Sequence, residues 1–311
     1  MQLYILKLRS AGLFSNVNEV IQQIHMAKKG GYKFVIDWAE SCYRQNDIDG
    51  DPWNYYFHDC FCVEEQKSAE LELAPETPYD ESNIIRPDNE LLGRITTNRK
   101  YVSEIISKHI KIKKHVQDII ENFSSTHFTV PIIAVHIRGP ARLDWVAHLR
   151  SSLKQKNGVP YESYFACVNK LLAKEPQAKI FICSDSQMVI DEVHRTYGER
   201  VISYNADRSE KGEMHIQYQT FFKSKFAPYK LGEDVLVEAE LIARTNYFVH
   251  GSSNVVQYVI CRSPDLPTTF AYGDAKEAPV TSRSLLVRAK QRAQKLKYQI
   301  NSRLPWHNQQ P

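Results

Sequence analysis

Hydrophobic and polar positions along the chain predict an alternation of strands and helices. Short aliphatic runs of strand length are followed by longer segments whose apolar positions recur every three or four residues. In the first half, this pattern predicts a strand at residues 3–8, a helix at residues 17–29 and a second strand at residues 32–38. Gly30 and Gly31 lie where that helix is expected to end. The order strand, helix, strand is typical of a parallel βαβ unit.

The second half of the chain repeats this alternation. A long helix is predicted at residues 101–123 and a buried strand at residues 131–135. Further strands are predicted at residues 179–183, 200–204 and 247–250, and further helices at residues 161–172, 188–197, 234–244 and 255–261. Between the two halves, residues 63–100 are polar and contain several prolines, which predicts an excursion on the surface.

Two doubly wound α/β domains are therefore expected. At 311 residues, the chain exceeds one average domain of about 150 residues. Ser124, Ser125 and Thr126 mark a boundary, so we predict domains at residues 1–125 and 126–280. If the strand ends of two such domains face each other, they form a cleft suited to a nucleotide-linked donor on one side and an acceptor on the other.

Composition limits the classes of partner. The chain has 40 basic and 36 acidic residues, and a net charge of +4 is too mild to favour nucleic acid as the main partner. It remains compatible with a small anionic ligand. The six cysteines show no CxxC spacing, and we interpret them as reduced. No signal peptide opens the sequence and no apolar run reaches the roughly 18 residues of a membrane span, so a soluble, cytoplasmic protein is expected.

The strand at residues 131–135 ends in a candidate site. His136 and Arg138 follow it, and strand alternation places both on one face at the carboxyl edge of the sheet, before Gly139 turns the chain. Arginine is always charged, and its planar fork of donors binds a diphosphate or a carboxylate in bidentate fashion. A structural salt bridge is the more common role of an isolated His-x-Arg, but two further strand ends favour a functional role here.

Those two strand ends carry small or polar residues: Ser184, Asp185, His250, Gly251, Ser252, Ser253 and Asn254. Small residues at the start of a helix let a phosphate approach the backbone amides, and serine hydroxyls supply additional donors. Asp185 can accept a hydrogen bond from a ribose hydroxyl or from the N–H edge of a purine. Helix capping is the alternative interpretation of both segments. Together, the three strand ends predict one constellation of binding residues.

The first half offers further candidates. Gly12 and Asn16 lie in the loop before the first helix, where backbone amides can hold an anion, although capping is the more common role of such an asparagine. Asp37 ends the second strand, where it can contact a ligand or cap a neighbouring loop. The three acids of residues 47–51 suggest a calcium loop or a metal-binding DxD motif, but the further oxygen ligands are missing. A solvated loop is therefore favoured, and no metal site is predicted.

Three segments of the second half resemble consecutive motifs of the fucosyltransferase superfamily, which holds α1,6-, α1,2- and protein O-fucosyltransferases. They are HIRG after a buried strand, ICSDS followed by a helix and YGER, and GEDVLVEAELIARTNYFVHGSSNVVQYVI. In the first half, GLFSN and DPWNYYF resemble segments of bacterial and viral members. The resemblance implies a GT-B fold and an inverting transfer from a GDP-sugar, GDP-fucose above all, to a glycan acceptor. It also implies that neither a divalent metal nor another cofactor is needed.

The same resemblance implies roles for individual residues. By the family's pattern, Arg138 would hold the β-phosphate and aid departure of the leaving group, and His136 would line the donor pocket. Asp185 would contact the nucleoside, and Ser252 and Ser253 would contact the phosphates. The predicted donor-binding set is completed by Gly12, Asn16, Gly139, Ser184, His250 and Asn254.

The catalytic base is where this sequence departs from the family's pattern. Family members often place an aspartate three residues after the arginine, whereas the first acid after Arg138 is Asp144. We predict Asp144 as the general base for the acceptor hydroxyl, with Asp37 as its competitor. The alternatives are the same fold with another donor, such as UDP-xylose, and a catalytically silent protein that binds a nucleotide-sugar. A flavin or NAD enzyme is disfavoured because no GxGxxG follows either opening strand.

The C-terminal segment is basic and amphipathic. Residues 281–303 carry seven Lys or Arg and no acid, with an apolar stripe at helical spacing. Such a helix can lie on an anionic membrane surface, and this interpretation predicts a peripheral membrane contact. We favour the other interpretation, in which residues 281–311 form a helix that crosses back to pack on the first domain.

Overall fold

The computed structural model describes residues 3–31, 33–58, 98–138, 161–209 and 227–271. The chain divides into two compact units, Met1–Gly273 and Asp274–Pro311, and all of the described residues belong to the first. The predictions for Gly139, Asp144, the excursion over most of residues 63–100 and the C-terminal segment lie outside the described residues. The domain division at residue 125 stays a prediction.

The first half forms the predicted parallel βαβ unit. Strand β1 (Leu3–Lys7) pairs in parallel with β2 (Lys33–Asp37), and helix α1 (Leu13–Gly30) connects them. Gly31 ends α1 in the left-handed conformation with a φ of 65°, which glycine adopts without steric cost.

Helix α1 begins four residues before the predicted start at residue 17. Leu13 and Phe14 already belong to the first turn, and both side chains are buried in the core. The prediction assigned Ser15 and Asn16 to the loop because such residues usually cap a helix. Instead, the N-cap residue is Gly12, which has no side chain with which to cap the helix.

The second half contains a five-stranded parallel sheet in the order β5-β4-β3-β6-β7. Its strands are β3 (Ile132–His136), β4 (Lys179–Cys183), β5 (Val201–Ser203), β6 (Tyr247–His250) and β7 (Thr268–Phe270). Strands β4 and β6 have the predicted bounds. Strand β7 was not predicted because it is only three residues long, begins with two threonines and carries no aliphatic run.

The helices largely follow the predicted alternation. They are α2 (Trp53–Tyr56), α3 (Arg99–His109), α4 (Lys114–His127), α5 (Tyr161–Lys174), α6 (Gln187–Tyr197), α7 (Pro228–Ile242) and α8 (Asn254–Arg262). Helix α7 begins six residues before the prediction, with Pro228 in the first turn, where proline fits a helix. In the described part of the chain, no helix combines the length and apolar character needed to cross a membrane.

The single long helix predicted at residues 101–123 is wrong. Two helices, α3 and α4, are separated at residues 110–113, where Ile112 forms an antiparallel bridge with Phe57. The backbone amide of Lys113 donates to the Tyr56 carbonyl over 2.8 Å, so the break exchanges helical hydrogen bonds for bonds to a distant segment. The boundary predicted at residues 124–126 lies inside α4, where the three hydroxyls donate to backbone carbonyls of the preceding turn.

The two faces of the five-stranded sheet pack against different cores. Alternate residues Ile133 and Val135 join a smaller core with α5 and α6, while Ile132 and Ala134 join a larger core. The larger core also contains buried residues of β1, α1, α3, α4, α7 and α8, so it connects both sheets. Ile137 joins the smaller core as well, so the alternation continues beyond β3 and indicates that His136 lies on the side of the larger core.

Candidate functional site

Three polar strand ends lie side by side at the carboxyl edge of the five-stranded sheet. Strand β3 runs between β4 and β6, and His136 is in register with Cys183 on one side and His250 on the other. The residues that follow these positions therefore leave the sheet at neighbouring points. In open parallel sheets, ligands bind at this edge. The structure thus brings together the three segments that the sequence predicts as one constellation.

His136 is held in its neutral form. Its side chain is half-buried, and burial lowers the pKa from 6.5 to about 3, with the charges of Arg138 and His250 lowering it further in the same direction. A neutral imidazole has one donor and one acceptor nitrogen. The positive charge at the end of β3 therefore comes from Arg138, whereas His136 offers a hydrogen bond without adding charge.

This lowered pKa predicts how acid destabilises the protein. Between pH 6.5 and about 3 the unfolded chain binds a proton at His136 that the folded chain does not, so the stability that is full above pH 6.5 is lost as pH falls. Urea denaturation at several pH values should give a shallower fall for His136→Gln than for the wild type. The difference should be as much as about 1.4 kcal/mol per pH unit. Equal slopes would contradict the lowered pKa.

The end of β4 carries Ser184 and Asp185. Ser184 is buried, and its Oγ accepts from the Ser186 amide over 3.1 Å. Asp185 is half-buried, and its carbonyl accepts from the Ser209 amide over 3.0 Å. Ser186 is the N-cap residue of α6 and makes no side-chain capping bond. The turn is therefore held by Ser184 and by the segment after β5, with Asp185 at the sheet edge.

The end of β6 leads into the N-terminus of α8. His250 is buried beside Phe248 and Phe270, and its Nδ1 donates to the Gly251 carbonyl over 2.7 Å, since a carbonyl can only accept. Ser253 caps α8, accepting from the Val256 amide over 3.2 Å, which confirms the capping interpretation for this residue. Ser252 is exposed. A serine hydroxyl and the first backbone amides of a nine-residue helix thus lie beside His250.

Asn254 is tied to the first half of the chain. Its carbonyl accepts from Nδ2 of Asn18, a buried side chain of α1, over 3.0 Å. One turn away, the Phe14 and Tyr258 rings pack with centroids 4.6 Å apart. The first helix of the chain therefore holds the start of α8 in place.

The first-half candidates have structural roles in the described residues. Asn16 is fully buried, with Nδ2 donating to the carbonyls of Arg9 and Ala11 and Oδ1 accepting from the Arg9 amide. It fixes the loop that contains Gly12 rather than capping α1. Asp37 accepts from the Ala39 amide over 3.1 Å, which is the capping alternative predicted for it.

The solvated-loop interpretation is wrong for Asp51. Its two oxygens accept from the Trp38 amide over 2.7 Å and the Trp53 amide over 2.8 Å, and burial raises the pKa of this carboxyl. Turn-like composition hid this role because one of the two amides, that of Trp38, is 13 residues away in the sequence. Among the described residues, no group of three or more His, Cys, Asp or Glu is arranged to hold a metal ion.

Solved structures of two kinds of fucosyltransferase resemble this chain. A NodZ α-1,6-fucosyltransferase soaked with GDP-fucose is 18% identical, with 85% of this chain and 93% of that chain covered and a TM-score of 0.50. Fucosyltransferase NodZ from Bradyrhizobium, also 18% identical, matches 83% and 91% of the two chains with a TM-score of 0.50. POFUT1 in complex with GDP-fucose is 10% identical, with 86% and 97% covered and a TM-score of 0.52. The chain has the fold of these fucosyltransferases.

Comparison of sequences finds no match, in contrast to the comparison of structures. No protein-family model and no curated protein matches this sequence. At identities of 10–18%, the structural likeness establishes the fold alone. The roles of individual residues must therefore come from the geometry of the site.

One buried cluster beside this site was only partly foreseen. Glu238 on α7 pairs with Arg208 over 2.5 Å, and both side chains are buried. Burial raises the pKa of Glu238 to about 8; Arg208 opposes this rise, whereas the charges of Asp234 and Asp185 add to it. Arg208 was not among the residues predicted from the sequence. The available signal was a pair of acids one turn apart on an apolar helix, which requires a buried cation.

Proposed function

We propose that the protein is an inverting glycosyltransferase that transfers fucose from GDP-fucose to a glycan acceptor without a divalent metal. The observation that carries this proposal is the meeting of three polar strand ends at one edge of a parallel sheet. They belong to a fold shared with proteins crystallised with GDP-fucose. Such an edge offers a cation, an acidic side chain and helix-terminal donors to one ligand. A nucleoside diphosphate sugar has a group for each of them: its diphosphate matches the cation and the helix-terminal donors, and its nucleoside matches the acidic side chain.

In the proposed reaction, the acceptor hydroxyl oxygen attacks the anomeric carbon of fucose as the bond to the β-phosphate oxygen breaks. Both electrons of that bond pass to the departing GDP, so negative charge grows on its β-phosphate. In this proposal, the Arg138 guanidinium stabilises this charge more strongly in the transition state than in the ground state. Attack opposite the leaving group inverts the configuration at the anomeric carbon.

The neighbouring groups complete the proposed donor site. His136, which is neutral because its pKa is lowered, forms a hydrogen bond with the sugar donor and leaves Arg138 as the positive charge at this strand end. Ser252 and Ser253, at the start of α8, bind the phosphates together with the backbone amides there. Asp185 accepts from the nucleoside. In this proposal, the residue after β3 stabilises the leaving group, the residues after β6 bind the phosphates and the residue after β4 binds the nucleoside.

The general base has two candidates in this proposal. Asp144 and Asp37 can each accept the proton of the acceptor hydroxyl as the new bond forms. Asp37 already accepts from the Ala39 amide, so it would have to bind the acceptor with its other oxygen. Kinetics of fucose transfer for Asp144→Asn and Asp37→Asn distinguish the two candidates. The variant of the general base should lose kcat but retain its affinity for GDP.

Further parts of the proposal extend beyond the described residues. A GT-B arrangement places the β1-α1-β2 unit on the acceptor side and the five-stranded sheet on the donor side. Residues 281–311 would cross back to the first domain, and residues 281–303 supply the surface for a peripheral membrane contact if the acceptor is lipid-linked. Vesicle co-sedimentation with and without anionic lipid tests that contact, and equal binding to both would exclude an electrostatic attachment.

Nucleotide binding and transfer test the proposed function directly. We expect GDP to raise the melting temperature more than UDP does at equal concentration. A ligand of lower Kd stabilises the folded protein more, and the proposed site binds GDP more tightly than UDP. GDP-fucose and a glycan mixture should yield fucosylated product, and EDTA should leave the rate unchanged. A larger shift with UDP would favour a donor such as UDP-xylose. GDP binding without transfer or donor hydrolysis would favour a silent binding protein.

A further inference from the structure

We infer that Arg208 and Glu238 are positioning residues that clamp Asp185 and thereby set the affinity of the site for its nucleotide. They act through residues 204–209, the segment that follows β5 and is called here the 204–209 segment. The inference rests on the proposed function, in which Asp185 contacts the nucleoside. Neither Arg208 nor Glu238 needs to touch the ligand.

The 204–209 segment is joined directly to the end of β4. The Ser209 amide donates to the Asp185 carbonyl over 3.0 Å, and the Gln187 amide donates to the Ser209 carbonyl over 2.9 Å. These two bonds form an isolated parallel bridge between Ser186 and Ser209. The backbone of Asp185 is therefore held by the sheet on one side and by this segment after it.

Arg208 ties the segment together at three points. Its Nη1 donates to the Ala206 carbonyl over 3.0 Å, and its Nη2 donates to the Tyr204 carbonyl over 3.0 Å and to Glu238 Oε1 over 2.5 Å. Only 6% of Arg208 and 8% of Glu238 are exposed. A planar guanidinium can make these bonds at once, whereas a flexible ammonium is a single point of attachment.

A second contact from α7 holds the neighbouring residue. Asp234 Oδ2 accepts from the Asp207 amide over 2.8 Å, and Asp234 is itself paired with Lys230. Two acids one turn apart on α7 thus hold consecutive residues of the segment. The segment is fixed to a helix of the larger core, not merely folded over the sheet edge.

The electrostatics indicate a role in geometry more than in stability. Burying two charges costs more than a single ion pair usually recovers, and apolar replacements are often neutral or stabilising. What the pair supplies is a fixed arrangement of the three groups that Arg208 binds, which are two backbone carbonyls and the Glu238 carboxylate. The charge of Asp185 reaches Glu238 as well, since it contributes to the raised pKa of that carboxyl.

Two buried donors also lie on this bridge. Among the described residues, Ser186 Oγ and Arg208 Nε are buried and make no hydrogen bond. Buried polar groups are costly when unsatisfied, so a polar partner close to this bridge would be stabilising. Ser186 belongs to the segment after β4 and Arg208 to the 204–209 segment, and these two segments meet beside Asp185.

Loss of the clamp should weaken binding without slowing chemistry. An Asp185 that samples several positions must be ordered when the nucleoside binds, and this ordering reduces affinity. Arg138 and the start of α8 follow other strands and keep their places. We expect Arg208→Gln to raise the Kd for GDP and the KM for GDP-fucose about tenfold, with kcat changed by less than about twofold.

The experiment combines hydrogen exchange with GDP titration calorimetry and transfer kinetics on the full chain. Arg208→Gln should speed exchange of the Ser209 and Gln187 amides by about tenfold or more, since their hydrogen bonds form the bridge. Arg262→Gln is the matched control. It breaks a half-buried pair with Glu240, which lies on α7 like Glu238, 2.9 Å between Nε of Arg262 and Oε1 of Glu240. It should leave both exchange and GDP affinity unchanged. Arg208→Lys provides a folded variant if Arg208→Gln does not fold, and should weaken GDP binding by an intermediate factor.

The outcomes separate this inference from the proposed function. Unchanged exchange at Ser209, or faster exchange with unchanged GDP affinity, would overturn the clamp even if the wild type transfers fucose. Faster exchange in a protein whose wild type binds no GDP would instead overturn the proposed function and, with it, the nucleotide role of the clamp. Glu238→Gln retains an acceptor for Arg208 and should change GDP affinity by less than about threefold. If it abolishes binding while Arg208→Gln does not, Glu238 contacts the nucleotide directly and the positioning role is wrong.

Discussion

Arg138→Ala is expected to lower kcat/KM for fucose transfer by about 100- to 1,000-fold, the usual effect of removing one group that stabilises developing charge. Arg138 lies at the carboxyl edge of β3, close enough for its charge to lower the pKa of His136. Without it, no other group of the proposed mechanism offers a positive charge to the departing β-phosphate. Steady-state kinetics with GDP-fucose measure the loss, and most of it should appear in kcat.

A matched arginine controls for the loss of charge. Arg195 lies on the exposed side of α6, where it pairs with Glu192 over 2.6 Å, so Arg195→Ala should change kcat/KM by less than about twofold. Arg138→Lys should recover only part of the activity, because an ammonium cannot bind phosphate oxygens in bidentate fashion. An Arg138→Ala enzyme with at least a third of wild-type activity would rule out the proposed role of this residue.

Gly232→Ala should destabilise the protein by about 3 kcal/mol or more, at the upper end of overpacking effects. A Cβ at this position on α7 would lie 2.2 Å from Tyr56 Oη and 2.5 Å from Tyr56 Cζ. Tyr56 cannot easily move, because it is fully buried, stacks on Tyr229 and donates to the Tyr229 carbonyl over 2.8 Å. Urea denaturation measures the change in the free energy of unfolding.

Two further variants test the cause of this destabilisation. Gly31→Ala places a Cβ in open space but at a φ of 65°, so it should cost only about 1 kcal/mol. Tyr56→Phe removes the hydroxyl nearest the new methyl group, and Gly232→Ala should cost less in that background. Additive effects of the two changes would show that the contact between α7 and Tyr56 is not the source of the strain.

Much of the fold follows from local patterns. The aliphatic run before His136 specifies a strand because only a buried element accommodates consecutive branched side chains, and the bounds of β4 and β6 follow from similar runs. Gly31 ends α1 because its backbone is left-handed there. The grouping of the three strand ends was also predictable, since parallel strands in one sheet present their carboxyl ends at one edge.

Other features depend on partners far away in the sequence. The periodicity of residues 101–123 continues through the break between α3 and α4, and only the bridge from Ile112 to Phe57 shows why the helix stops. Asp51 has typical loop character, yet one of its carboxylate oxygens accepts from the Trp38 amide, which follows β2 and is 13 residues away.

What the sequence by itself determined is the alternation of parallel strands and helices and the polar residues that end three of the strands, because both depend on spacing along one element. Only the tertiary structure decided that Arg208 pairs with Glu238, or that Asn18 of the first helix holds Asn254. Hydrogen bonds between side chains and remote backbone groups leave no periodic trace in the chain. They are fixed by packing, which selects one partner among many that are chemically equivalent.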